Sequence, residues 1–89
     1  MAYEAVESVE PKASHGVPIV ERVLATKPTE DEAIALARAA REVFIASGST
    51  DYAWWIVREP GMTLARWIAD STSSKEFVLD LRSGELVEY

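Results

Sequence analysis

Apolar residues recur at three- and four-residue spacings between positions 30 and 47, and at alternate or adjacent positions over most of the remaining chain. The first pattern predicts a helix, the second a set of strands. At 100° per residue, Ala33, Leu36, Ala37, Ala40, Val43 and Phe44 fall on one stripe. Half of that stripe is Ala, which lets a helix lie close on a sheet with Leu36 and Phe44 as its large anchors. Thr29 followed by Glu32 is a capping box at the start. Glu30, Asp31 and Glu32 complement the positive end of the helix dipole. Gly48 suits the left-handed stop at the other end. Glu32, Arg38 and Glu42 are expected to face water, with Arg38 and Glu42 as an i,i+4 pair.

Strands are expected at 19–26, 52–59, 63–69, 76–80 and 85–89. Each is rich in Val, Ile, Trp or Leu and is bounded by turn residues. Pro18 fits only a strand start or edge. Pro60-Gly61 marks one hairpin tip and Ser83-Gly84 another. In the last hairpin a longer loop is preferred, with Asp80 opposite Glu85 and Leu79 opposite Leu86, because Asp80 then reaches the turn amides. In the middle hairpin, a tip at Pro60-Gly61 sets Trp54 against Trp67, Ile56 against Ala65, Trp55 against Arg66 and Val57 against Leu64. Trp55 and Arg66 then form a candidate cation–π contact. Residues 1–16 hold few large apolar groups and break at Pro11 and Gly16, so they read as a flexible N-terminal arm ahead of a single domain at 17–89. The order β-α-β-β-β-β is an α+β fold, with one helix packed on one face of a mainly antiparallel sheet of four to five strands. If the two strands flanking the helix are neighbours, they run parallel with a right-handed crossover.

Several of these strands are apolar on both sides. Residues 52–59 offer Trp54 and Ile56 to one face and Ala53, Trp55 and Val57 to the other. Residues 63–69 set Ala65 and Trp67 against Leu64 and Ile68. The last two strands add Phe77, Leu79 and Leu86 against Val78, Val87 and Tyr89. A sheet with one wet face alternates cleanly, and this one does not. Five strands span about 24 Å, whereas one helix is only about 10–12 Å across. One face therefore lacks a cover, and a second copy of the chain is the simplest one.

Composition narrows the chemistry. The chain has 89 residues, a net charge of −6, no Cys and one His. Disulfides and thiolate chemistry are excluded, and a multi-His metal site with them. The negative sign disfavours nucleic acid and anionic membranes as partners. Glu30, Asp31 and Glu32 are explained by the helix start, and His15 stands alone in the arm. The Ser/Thr-rich stretches at 47–50 and 71–74 read as connections rather than phosphate loops. No catalytic, cofactor-binding or metal-ligating residue is singled out, and the chain is read as non-enzymatic. The N-terminus lacks a signal-peptide pattern and no apolar run approaches membrane-spanning length, so a cytoplasmic location is the expectation. Arg outnumbers Lys six to three, Ala occurs 13 times, and Asn and Gln are absent. That usage is the imprint of a GC-rich genome, bacterial or phage.

The leading expectation is a small protein-interaction module that pairs with itself as a homodimer and leaves surface for another protein. Its candidate interface residues are Trp54, Trp55, Trp67, Arg58, Arg66, Val78, Val87 and Tyr89, chosen because Trp and Arg dominate interface hot spots. Two alternatives of other classes stand beside it. One is an acidic inhibitor or decoy of a basic protein, phage- or antitoxin-like, which rests on size and net charge. The other is a small-ligand-binding domain with Trp lining a pocket between sheet and helix.

Overall fold

A computed structural model describes residues 2–11 and 19–89. The elements are β1 (Tyr3–Glu10), β2 (Val20–Lys27), α1 (Glu30–Ala46), β3 (Tyr52–Arg58), β4 (Ala65–Asp70), β5 (Glu76–Asp80) and β6 (Glu85–Glu88). The strands form one antiparallel sheet in the order β2-β1-β3-β4-β5-β6. The fold is α+β as expected, with six strands rather than four to five.

Residues expected in a flexible arm form β1, which pairs with β2 on one side and β3 on the other. Ala5, Val6 and Ser8 are buried. The segment YEAVESVE buries only Ala5, Val6 and Ser8 and holds its three Glu partly or fully exposed, so it carries too few large apolar side chains to read as a strand. His15, Gly16 and Pro18 lie outside the described residues. The two strands flanking α1, β2 and β3, are parallel to each other but not adjacent, since β1 lies between them and is antiparallel to both.

The helix lies over β1, β2 and β3. The Thr29 side chain accepts from the Glu32 amide at 3.2 Å, and Gly48 closes the helix at φ +73°. The packed seam is Ala33, Ile34 and Ala37, flanked by Leu36, Ala40 and Phe44. Val43, expected in the stripe, is 71% exposed. Against the helix the sheet presents Ala5, Ala53, Trp55, Val57, Trp67 and Ala69, all buried. Phe44 meets the edge of Trp55, with ring centroids 5.4 Å apart.

The last hairpin has the longer loop, with Asp80 opposite Glu85 and Leu79 opposite Leu86. Asp80 Oδ1 accepts from the Arg82 amide, and Gly84 takes φ +72°. The middle hairpin differs from expectation. Trp54 pairs with Asp70, Trp55 with Ala69, Ile56 with Ile68 and Val57 with Trp67. The loop between β3 and β4 is longer than a tip at Pro60-Gly61 implies, and a bulge shifts the register beside Arg58. The slip is an odd number of residues, so it turns every side chain of β4 to the opposite face. Trp67 thereby joins Trp55 under the helix, while Trp54 stays on the other side. No Trp55–Arg66 contact forms among the described residues; Arg66 instead lies 5.9 Å from the Tyr3 ring and 3.6 Å from Glu30.

Candidate functional site: the face opposite the helix

The registers define rows of side chains that cross the sheet. Under the helix runs Ala25–Ala5–Val57–Trp67–Val78–Val87. On the far face runs Val23–Val6–Ile56–Ile68–Phe77, an apolar row across five strands. Leu79 and Leu86 share the side of Phe77, since same-face residues lie two apart along a strand. Val6 is fully buried in this row. Ile56, Ile68, Phe77 and Leu79 are half-buried, and Val23 and Leu86 are exposed. No element of the described chain lies over them.

Charges flank the row. At one end Arg58 meets Glu4 at 3.3 Å and Glu21 at 3.5 Å. At the other end a concavity of about 480 Å³ opens over β4. Its walls include Tyr52, Trp54 and Phe77, its floor Ile68, and its rim Glu10, Asp70 and Lys75. Tyr52 and Trp54 stand side by side, with centroids 5.5 Å apart. Asp70 is fixed in place: its Oδ1 accepts from the Thr72 amide and hydroxyl and from the Ser73 amide. Its Oδ2 faces the Tyr52 hydroxyl at 3.4 Å. Burial pushes the Tyr52 phenol above its ordinary pKa, and the Asp70 and Glu10 carboxylates add to that rise.

Chemistry on the helix side is structural. Trp55 Nε1 donates to Glu7, which also meets Arg22 at 3.3 Å. Trp67 Nε1 donates to Glu76 at 3.0 Å. The Arg38 guanidinium grips the same carboxylate with Nε and Nη2 and lies 5.0 Å from the Tyr89 ring centroid. The Arg38 hydrogen bond holds the Glu76 carboxyl below the usual range, against burial and with help from Trp67. Arg41 ties the 71–74 loop to the helix by donating to the Asp70 and Ser73 carbonyls.

These positions redistribute the candidate interface. Trp55 and Trp67 are fully buried under the helix and closed to a partner. Trp54 alone of the three indoles reaches the far face, and Arg58 shares that face. Arg66, Val78 and Val87 belong to the helix side, and Tyr89 is 65% exposed beside Arg38. Both buried indoles are sealed in the helix–sheet seam, so the Trp-lined concavity lies on the opposite face from the pocket expected between sheet and helix. The expected interface joined Trp54 with Val78, Val87 and Tyr89, whereas the registers put Phe77 on the face of Trp54 and Val78 and Val87 on the helix side; Ile68 was missed because of the register slip and Val6 because its strand was unforeseen. Tyr3, Ala5 and Val9 alternate and were the available signal for the strand, whereas Val6 lies on its otherwise polar face with Glu4, Ser8 and Glu10.

Comparison with protein-family models, curated proteins and solved structures finds no match to this chain. Function is therefore argued from the far face itself.

Proposed function

We propose that this protein is a non-enzymatic interaction module whose far sheet face docks a second copy of itself. The observation that supports this reading is the apolar row Val23–Val6–Ile56–Ile68–Phe77, extended by Leu79 and Leu86, over which no described element lies and of which only Val6 is fully buried. α1 is committed to the opposite face. Five strands give the face a width of about 24 Å, and about 20 Å along the strands gives the whole face, its charged flanks included, a footprint near 500 Å². Two such faces hide about 1,000 Å², the lower limit for a specific interface. Stacked sheets sit about 10 Å apart with their strands nearly aligned, a spacing that apolar side chains from both sides fill. A two-fold pairing needs no further partner, because each copy offers the surface the other lacks.

Sedimentation velocity with light scattering tests the reading. The wild-type chain is expected to run as a dimer at ~10 µM, above the dissociation constants usual for specific interfaces. Ile68→Lys and Leu86→Lys each place a charge in the stacked face and are expected to yield folded monomers with unchanged helical circular dichroism. A wild-type monomer at that concentration that also fails to bind an apolar dye overturns the proposal.

A further inference from the structure

We infer that the concavity over β4, walled by Tyr52, Trp54 and Phe77, is a binding site for a small quaternary ammonium compound. It shares only Ile68 and Phe77 with the apolar row and does not rest on self-association. Trp54 is level with Asp70 and Phe77 with Ile68, so the two side chains stand diagonally across β4, two strand spacings apart sideways and two residues apart along the strand, about 12 Å in all. A cation midway between them lies about 6 Å from each, at the limit of a cation–π contact. Aromatic faces carry the negative lobe of the ring quadrupole. Glu10 and Asp70 at the rim add two carboxylates against the single ammonium of Lys75. Asp70 cannot swing away, because three donors hold its Oδ1 and leave Oδ2 toward Tyr52.

The floor and walls select among cations. Ile68 and the three rings offer apolar surface, which suits the methyl shell of a quaternary ammonium, whereas a primary ammonium finds its acceptors only at the rim, on Glu10 and Asp70. The volume of about 480 Å³ falls within the range of small-molecule sites. Lys75 is the opposing element: its charge sits at the same rim and repels the ligand's.

The experiment titrates the whole protein with choline and follows tryptophan emission. Trp55 and Trp67 are fully buried on the other face, so a change reports Trp54. The neutral isostere 3,3-dimethylbutan-1-ol is titrated in parallel. Choline is expected to saturate with an affinity about tenfold higher than the isostere, the size of a partly desolvated cation–π contact. Tyr52→Leu, at an exposed position, is expected to weaken choline about fivefold, and Lys75→Gln to tighten it about threefold by removing a like charge. Equal affinity for choline and isostere, or no saturable change with choline, overturns the site. A trimethyl-lysine peptide forms the last arm: binding no tighter than choline keeps a free small molecule as the ligand, and binding tenfold tighter overturns that assignment. Sedimentation of the same samples registers self-association separately, so the loss of one property is not mistaken for the loss of the other.

Discussion

The two faces of the sheet carry similar apolar rows and meet different fates. Under the helix, Ala5, Val57 and Trp67 are fully buried. On the far face Val6 and Ser8 are buried at its centre, while Ile56, Ile68 and Phe77 remain half open. The residue types do not account for this, since Ile and Phe are at least as apolar as Ala and Val. What differs is the cover. α1 supplies a row of Ala that brings its backbone close, and Arg38 with Glu76 carries the seal outward over Trp67. Among the described residues, the far face is flanked only by neighbouring strands. Burial here follows the face on which α1 lies.

The largest test of that contrast uses the indoles. Trp67→Ala is expected to cost about 3–5 kcal/mol, because it opens a cavity under the helix and removes a donor from Glu76. Trp54→Ala, measured at protein concentrations low enough to keep the chain monomeric, is expected to cost about 1 kcal/mol or less. Urea denaturation of both variants supplies the comparison. Similar losses would mean that the far face is as consolidated as the helix face.

A smaller effect concerns the charged seal. Glu76→Gln keeps an acceptor for Trp67 but removes the ion pair with Arg38, and is expected to cost about 1 kcal/mol near neutral pH. The difference between variant and wild type should depend on pH. The folded-state pKa of Glu76 lies below its ordinary value, chiefly through the Arg38 hydrogen bond. The unfolded chain therefore binds the proton first as pH falls. Stability from this group is complete above the ordinary carboxylate pKa, about 4.3, and fades as pH drops through the depressed folded value. Melting curves from about pH 6 down to about pH 3 should show wild type and variant converging at the acid end. A gap that persists there would assign the effect to packing rather than charge.

The fold was partly legible in the chain because some signals are local. Thr29 and Gly48 bracket the helix within a residue or two, since capping depends only on neighbouring backbone. The Asp80–Glu85 register followed from turn chemistry alone. Signals that depend on distant partners were missed. The bulge beside Arg58 has no mark in the sequence, and it carried Trp67 away from Trp54. Arg38, placed in water with Glu42 as partner, instead reaches Glu76, a contact that exists only after β5 is in place. For β1, a count of bulky apolar residues understated a strand that carries few of them. The candidate site inherits that pattern: Trp54 was among the expected interface residues but Phe77 was not, and the carboxylate Asp70 reached their concavity through the unforeseen register.

The smallest expected effect tests the helix seam. The 100° stripe includes Val43, but the packed side is Ala33, Ile34 and Ala37, with Val43 71% exposed. The stripe is an average over the helix, whereas contact depends on where the helix axis crosses the strands. α1 rests on β1, β2 and β3, and this geometry favours Ile34 near its start over Val43 near its end. Val and Ser have similar helix propensity, so Val43→Ser changes side-chain apolarity with little backbone effect. The expected change is within about 0.5 kcal/mol by urea denaturation, as for other exposed positions. A loss above about 2 kcal/mol is typical of a buried apolar site. It would mean that the helix is rotated so that Val43, and not only Phe44, presses on the sheet.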